Sequence, residues 1–173
     1  MHFFKPQGLI NFTRLIYGLA KKERRNMIFG IPTRPSVKSP TTATMFVAQM
    51  KMQEMAQTEL EKSFAKAFTV IVTLPHQNPE QWDRLFEELE PLFSAARQKW
   101  QVFSSDPVKL VKEMKKCGIN SMMIDMLQVT LDLISCEAGF PGSSYWPQYK
   151  AVKLLHMSCC TPGHLKQVIG YLS

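Results

Sequence analysis

Apolar residues recur at spacings of three and four along most of the chain beyond residue 40, and this periodicity constrains the fold more than any other feature. It places apolar side chains on one face of an α-helix. Prolines, glycines and capping residues separate the stretches, so we predict an all-α protein, a stack of helical hairpins with about six or seven helices. The clearest apolar stripe consists of Trp82, Leu85, Phe86, Leu89, Leu92, Phe93, Ala96 and Trp100.

Capping residues indicate where these helices begin and end. Ser, Asp or Asn accepts hydrogen bonds from the free N–H groups of a first turn, and proline is tolerated in that turn. Glycine is common just after the last turn. The predicted starts are Ser39-Pro40, Asn78-Pro79, Asp106-Pro107, Asn120, Trp146-Pro147 and Thr161-Pro162, and the predicted ends include Gly118 and Gly139.

Residues 40–74 follow the helical spacing with a single five-residue step, between Met55 and Leu60. We interpret this step as two stretches of one helix that face different neighbours. Residues 67–74 are rich in β-branched side chains, which also suit a strand. We favour a helix because no second strand is predicted to pair with it, and contact of this segment with lipid stays open.

The charge of the chain is concentrated at one end. Residues 1–53 contain nine Lys/Arg and one Glu, a balance of +8, whereas residues 54–173 have a balance of −1. Residues 28–41 include three prolines and form an extended connector. We therefore predict a basic N-terminal arm over residues 1–41, with an amphipathic helix and the connector, joined to a helical body over residues 42–173.

The first 26 residues are amphipathic, basic and nearly free of acids, which is typical of mitochondrial targeting segments. An ordinary basic surface helix is the alternative. The basic residues suit an acidic protein surface, an anionic lipid such as cardiolipin, or RNA phosphates. The predicted partner-binding residues are Phe3, Phe4, Arg14, Lys21, Lys22, Arg24 and Arg25.

One cluster of potential metal ligands occurs in the sequence: His156, Cys159, Cys160 and His164. These residue types bind Zn²⁺, and four of them would complete a tetrahedral site. Adjacent cysteines on a helix point about 100° apart, however, and Pro162 starts a new helix before the last histidine. We therefore favour buried structural thiols over a metal site, and we predict no cofactor.

Catalytic patterns are weak. The eight glycines are scattered through turns and form no phosphate-binding loop. The chain contains four cysteines and four histidines, so a Cys–His pair can always be named, but naming it does not show that its two members lie close together. The sequence therefore favours a protein that is not an enzyme.

The segment LVKEMKKCGI, residues 110–119, carries an apolar residue, an acid-Met pair and Gly-Ile at Leu110, Glu113, Met114, Gly118 and Ile119. This pattern resembles the end of the second helix of a pentatricopeptide repeat, and the resemblance extends over about residues 79–137. It implies stacked two-helix units of about 35 residues. Degenerate units of this kind are structural parts of mitochondrial machines, including a small accessory subunit of protist ATP synthase.

The chain departs from that family at two points. Members usually have Pro-Asp or Pro-Asn after Gly-Ile, and this chain has Asn120-Ser121. Members that read RNA present polar side chains early in the first helix of each repeat, whereas residues 122–127 are mostly apolar. The resemblance therefore implies the architecture without the RNA code.

These observations together predict a non-catalytic structural accessory subunit of a large mitochondrial complex, either ATP synthase or the respiratory chain. Its partners would be other subunits, with possible cardiolipin contact, on the matrix side of the inner membrane or peripheral to it. In such an assembly, residues 28–60 would bury a large apolar area. The alternative is a mitochondrial ribosomal or RNA-associated protein that binds RNA through the basic arm.

Overall fold

The computed structural model describes residues 39–74, 79–161 and 163–172. These residues form α-helices and one short 3-10 helix, and no strand occurs among them, which confirms the predicted all-α class. The seven α-helices are α1 (Pro40–Met55), α2 (Glu59–Thr73), α3 (Pro79–Phe103), α4 (Pro107–Lys115), α5 (Ser121–Ala138), α6 (Trp146–Met157) and α7 (Leu165–Leu172), and the 3-10 helix is Ser158–Cys160. The predicted arm up to residue 38 and the predicted cap Asn78 lie outside the described residues.

Several predicted helix starts are confirmed by their capping hydrogen bonds. The Ser39 hydroxyl accepts the Thr42 N–H at 3.2 Å at the start of α1. Asp106 accepts the N–H of Lys109 at 3.2 Å at the start of α4. The Asn120 side chain accepts an N–H from the first turn of α5 at 2.9 Å. Each bond satisfies a donor that has no partner within its helix.

Residues 40–74 form two helices and not the single helix that the spacing suggested. Helix α1 ends at Met55, and Ala56 has an extended conformation with φ −67° and ψ 119°. Thr58 then starts α2: its hydroxyl accepts the Glu61 N–H at 3.1 Å, and the Glu61 carboxylate accepts the Thr58 N–H at 3.0 Å. This reciprocal capping box stabilises a break where the apolar spacing alone suggested continuity. The predicted helix near residues 67–74 is confirmed, since α2 continues to Thr73.

Two helix pairs form the centre of the body. Helices α1 and α2 pack against each other, as do α5 and α6, and the pairs meet through contacts of α1 with α5 and of α2 with α6. Helix α3 packs on α6, and α7 packs on α2 and α3. The largest fully buried side chains are Met45, Met52, Phe64, Phe68, Ile71, Trp82, Leu89, Met123 and Leu127.

Two buried polar side chains join helix ends that are distant in the sequence. The Glu61 carboxylate accepts the N–H of Asn120 at 2.9 Å, which connects the start of α2 to the start of α5. The Gln148 amide on α6 donates to the carbonyl oxygens of Ile71, Val72 and Leu74 at 3.1–3.3 Å. Carbonyl groups at a helix end otherwise lack partners, so Gln148 closes the last turn of α2.

Candidate functional site

The point where the arm joins the body is held by a small hydrogen-bond network. The Ser39 hydroxyl donates to the Tyr145 hydroxyl at 2.7 Å, and the Thr42 and Tyr145 hydroxyl oxygens lie 2.9 Å apart. The backbone N–H of Thr41 donates to the carboxylate of Glu137 at 3.3 Å. These contacts fix the start of α1 against the end of α5 and the start of α6. The seven predicted arm residues lie outside the described residues.

The outer face of α1 is an exposed apolar surface next to this junction. Phe46 and Met50 lie one turn apart, and each is 47% exposed. Met45 and Met52, by contrast, point into the core. The methionine-rich helix α1 therefore contributes side chains to the core and also to the surface. Its exposed side chains fall within residues 28–60, the region predicted to bury apolar area against a partner.

A second exposed surface lies around the connection between α3 and α4. Val102, Val108 and Val111 are exposed, with Val102 at 67%. The α4 region adds four exposed lysines: Lys109, Lys112, Lys115 and Lys116. The sequence marks this surface only through the three valines, which fall outside the regular apolar stripe of α3.

The four potential metal ligands do not assemble into one ligand set, and Cys159 and Cys160 are buried, as the favoured interpretation of structural thiols predicts. His156 is buried, and its ring meets that of Trp100 edge-on at a centroid distance of 5.3 Å. Burial lowers the pKa of His156 to about 4, so the imidazole is neutral near pH 7. Cys159 and Cys160 donate through their thiols to the carbonyls of Leu155 and Met157 at 3.5 and 2.9 Å.

The fourth residue of that cluster, His164, lies at a shallow groove on the surface. The groove is lined by Ala95, Gln98, Lys99, Val102, Thr161 and His164. Within residues 39–74, 79–161 and 163–172, no group of three or more His, Cys, Asp or Glu side chains is arranged to hold a metal ion. His156, Cys159 and Cys160 therefore lie in the core, whereas His164 lies at the groove.

Cys159 is also close enough to Cys117, a cysteine that the sequence did not single out, for the two thiols to influence each other's pKa. Cys117 lies in the turn between α4 and α5, 42 positions earlier in the chain, and it is half-buried. Interaction with the side chain of Cys159 is the largest cause that lowers the pKa of Cys117 to about 7, although partial burial opposes it. No sequence signal identifies this proximity, because it depends on how the segment around α4 packs on the 3-10 helix.

Comparisons with protein-family models, with characterised proteins and with solved structures gave no match to this chain. None of the helices in the described part of the chain combines the length and hydropathy that a membrane-spanning segment needs. The functional proposal therefore rests on the charge of the arm and on the exposed surfaces of the body.

Proposed function

We propose that this protein is a non-catalytic structural accessory subunit of a large mitochondrial complex, ATP synthase or the respiratory chain, and that it contributes to assembly and stability. The observation that carries this proposal is the charge balance of +8 in residues 1–53 against −1 in residues 54–173. A strongly basic arm on a nearly neutral body binds acidic or anionic surfaces through the arm. The proposed location is the matrix side of the inner membrane or its periphery.

The attachment of the arm supports this role. Hydrogen bonds from Ser39 and Thr41 to Tyr145 and Glu137 hold the start of α1 on the body. An arm that leaves from a fixed point loses less orientational freedom when it binds, so more of its interaction energy remains as affinity. A bound arm would therefore also orient the helical body within the complex.

The outer face of α1 indicates the chemistry of the partner. Phe46 and Met50 form an apolar centre, and the basic arm precedes them in the chain. Stable protein interfaces have an apolar core within a polar rim, and charge complementarity speeds and orients association. The expected partner is a protein subunit with an apolar patch beside acidic residues.

RNA binding is the second candidate, and the block from Lys21 to Arg25 favours it. Four basic residues within five positions suit contact with successive phosphates. RNA association would weaken steeply with added salt, because each phosphate contact releases counterions. The apolar contribution of α1 to a protein interface would persist at the same salt concentration.

The test is purification of the tagged native protein from mitochondria in mild detergent, followed by mass spectrometry, with and without RNase. Recovery of ATP-synthase or respiratory-chain subunits that RNase leaves unchanged is the expected result. Recovery of ribosomal proteins, or loss of partners on RNase treatment, would replace the proposal with the RNA alternative. A protein without companions would contradict both.

Variants of the basic arm and of the outer face of α1, each with a matched control, test whether these two surfaces bind the partner. Replacement of Lys21, Lys22, Arg24 and Arg25 by alanine should lower recovery of partners at least about tenfold, equivalent to about 1.4 kcal/mol. The control replaces Lys109, Lys112, Lys115 and Lys116 by alanine, which removes the same charge from α4 and the residue that follows it. For the apolar face, Phe46→Ser is compared with Val102→Ser. Equal losses in variant and control would contradict the assignment of the interface.

A further inference from the structure

Helix α4 presents valines and lysines on the same exposed side. Its inward side chains include Met114, which is buried, and Leu110, which packs partly buried against the core. With about 100° of rotation per residue, the exposed residues that follow Pro107 fall within an arc of about 160° on the other side of the helix axis. These residues, called the α4 face, are Val108, Lys109, Val111, Lys112, Lys115 and Lys116. Apolar and cationic side chains therefore share one surface.

The valines of the α4 face are open to solvent. Val108 and Val111 lie one turn apart and are 42% and 36% exposed. Val102, in the last turn of α3, is 67% exposed, and no large apolar side chain in the described part of the chain is more exposed. Removing such side chains from water stabilises a complex that covers them. The α4 face therefore has an apolar component that the folded body leaves at its surface.

Positive charge is concentrated at this corner of the body. Residues 99–116 contain five lysines, one Asp and one Glu, a balance of +3. Both acids have partners within the segment: Asp106 accepts the Lys109 N–H at 3.2 Å, and Glu113 pairs with Lys116 at 3.4 Å. The α4 face and the end of α3 are thus the basic part of a body whose overall balance is −1.

The opposite end of α3 is acidic. Residues 80–90 contain five acids and one Arg, a balance of −4. Glu80 and Lys99 lie on the same helix and are separated by about 28 Å at 1.5 Å per residue. This separation exceeds the screening length of about 8 Å at physiological salt. The charges at the two ends therefore act separately, and a negatively charged surface would orient the body with α4 toward it.

The residue types of the α4 face favour a lipid bilayer over a protein as the partner. Protein interfaces are enriched in aromatic residues, Met and Arg, whereas Lys is depleted there and Val is rare among the residues that dominate binding. The α4 face consists of Val and Lys alone. A lysine can lay its hydrocarbon stem along an apolar surface and place its ammonium at the level of lipid phosphates. The outer face of α1, with Phe46 and Met50, has instead the composition of a protein interface.

We propose that the α4 face is a docking surface for an anionic lipid bilayer. Val108 and Val111 enter the boundary between headgroups and acyl chains, and the four lysines contact lipid phosphates. The acidic residues 80–90 then lie on the side of the body away from the bilayer. This surface is separate from the basic arm, and the proposal does not depend on which complex the protein joins.

The test measures co-sedimentation of the full-length protein with vesicles. The vesicles contain equal amounts of phosphatidylcholine and phosphatidylserine, and vesicles of pure phosphatidylcholine are the neutral comparison. Because the basic arm also attracts anionic lipid, Lys21, Lys22, Arg24 and Arg25 are replaced by alanine in every protein compared. This arm-substituted protein should bind the anionic vesicles at least about tenfold more tightly than the neutral ones. No protein partner is present, so the result is independent of the proposed complex.

Removal of the lysines from the α4 face is the decisive change. Replacement of Lys109, Lys112, Lys115 and Lys116 by alanine in the arm-substituted protein should weaken binding to the anionic vesicles at least about tenfold. The matched control removes the same charge from other helices and should change the affinity by less than about threefold. It replaces the exposed residues Lys62, Lys66, Lys153 and Lys166 by alanine. Circular dichroism compares the helix content of all variants.

The valines test whether the contact includes insertion into the bilayer. Val108→Ser combined with Val111→Ser removes apolar surface without a change of charge, and both positions are exposed, so the fold should persist. Binding to the anionic vesicles should fall at least about threefold, and the loss should remain at high salt, because salt screens the lysines and not the apolar contact. Unchanged binding at every salt concentration would contradict insertion of the valines.

Three further results would overturn the proposal. The first is an arm-substituted protein that does not bind the anionic vesicles, which would favour an acidic protein surface as the partner of α4. The second is equal loss of binding in the α4 variant and in its lysine control, which would show that net charge alone determines binding. The third is equal binding to the neutral and the anionic vesicles.

Discussion

At the residue scale, burial decides the chemistry of His156. In sequence it belonged to a group of potential zinc ligands, and in the structure it is a core residue with 4% exposure. Its ring packs edge-on against Trp100, and burial lowers its pKa to about 4. A neutral histidine in the core makes folding sensitive to acid, because the unfolded chain binds a proton that the folded protein excludes.

This sensitivity leads to a prediction for His156→Leu. The stabilising contribution of neutral His156 is complete above the ordinary pKa of 6.5 and is lost as the pH falls toward about 4. The wild-type protein should lose about 3 kcal/mol of unfolding free energy across that range from this residue, at 1.36 kcal/mol per pKa unit. The variant should lack this loss. Urea unfolding at several pH values measures the difference, and parallel curves for both proteins would contradict the prediction.

At the element scale, Glu61 acts at two helix ends together. One carboxylate oxygen accepts the N–H groups of Gln57 and Thr58 at 3.3 and 3.0 Å, and the other accepts that of Asn120 at 2.9 Å. These hydrogen bonds, the one to Thr58 first, lower the pKa of Glu61 although burial opposes them. The Glu61 side chain therefore binds the backbone of the link between α1 and α2, and it also positions the start of α5.

Glu61→Gln should destabilise the protein by about 2 kcal/mol, within the range for hydrogen bonds to charged groups. The amide keeps one acceptor oxygen and places an N–H₂ donor against a backbone donor. Because the folded pKa is lowered, the contribution of Glu61 is present above about pH 4.5 and is lost as the pH falls through the folded value. Thermal and urea unfolding provide the measurement.

The control for that prediction is Glu59→Gln on the same helix. Glu59 is 92% exposed and forms a salt bridge with exposed Lys62 at 3.3 Å. Exposed ion pairs contribute little, so this change should alter stability by less than about 0.5 kcal/mol. Similar losses for the two variants would show that the hydrogen bonds of Glu61 do not stabilise the helix ends.

At the scale of the whole molecule, α7 completes the packing of the helical body. It packs on α2, α3, α6 and the 3-10 helix. Its inward side chains are Leu165, Val168, Ile169 and Leu172, all of which are buried, whereas Lys166, Gln167 and Tyr171 are exposed. A helix of eight residues is too short to be stable alone, so these contacts hold it in place.

Val168→Asp should therefore destabilise the whole body and not α7 alone. Val168 has no exposed surface, and an unpaired carboxylate there should cost more than about 3 kcal/mol. Gln167→Asp introduces the same charge on the exposed side of the same turn and should have little effect. Thermal unfolding followed by circular dichroism compares them. A loss confined to about one turn of helix, with an unchanged midpoint, would contradict this role of α7.

Local signals explain how much of the fold was predictable. The starts at Ser39, Asp106 and Asn120 follow from side chains that bind N–H groups two or three positions later. The break before α2 was missed, although Thr58 and Glu61 form a capping box in the sequence. Apolar spacing with a five-residue step fits either a shifted helix or two helices, and only the capping residues distinguish them.

Residues a few positions apart are enough to predict the all-α class and the helix starts after Ser39, Asp106 and Asn120, because helical hydrogen bonds and apolar periodicity are local. The uneven charge is likewise a property of the sequence alone. The tertiary structure alone decided which side chains meet across long separations. It buried His156 against Trp100, separated His164 from the other three potential metal ligands and placed Cys117 near Cys159. Such contacts depend on how whole helices pack, and no short stretch of sequence contains that information.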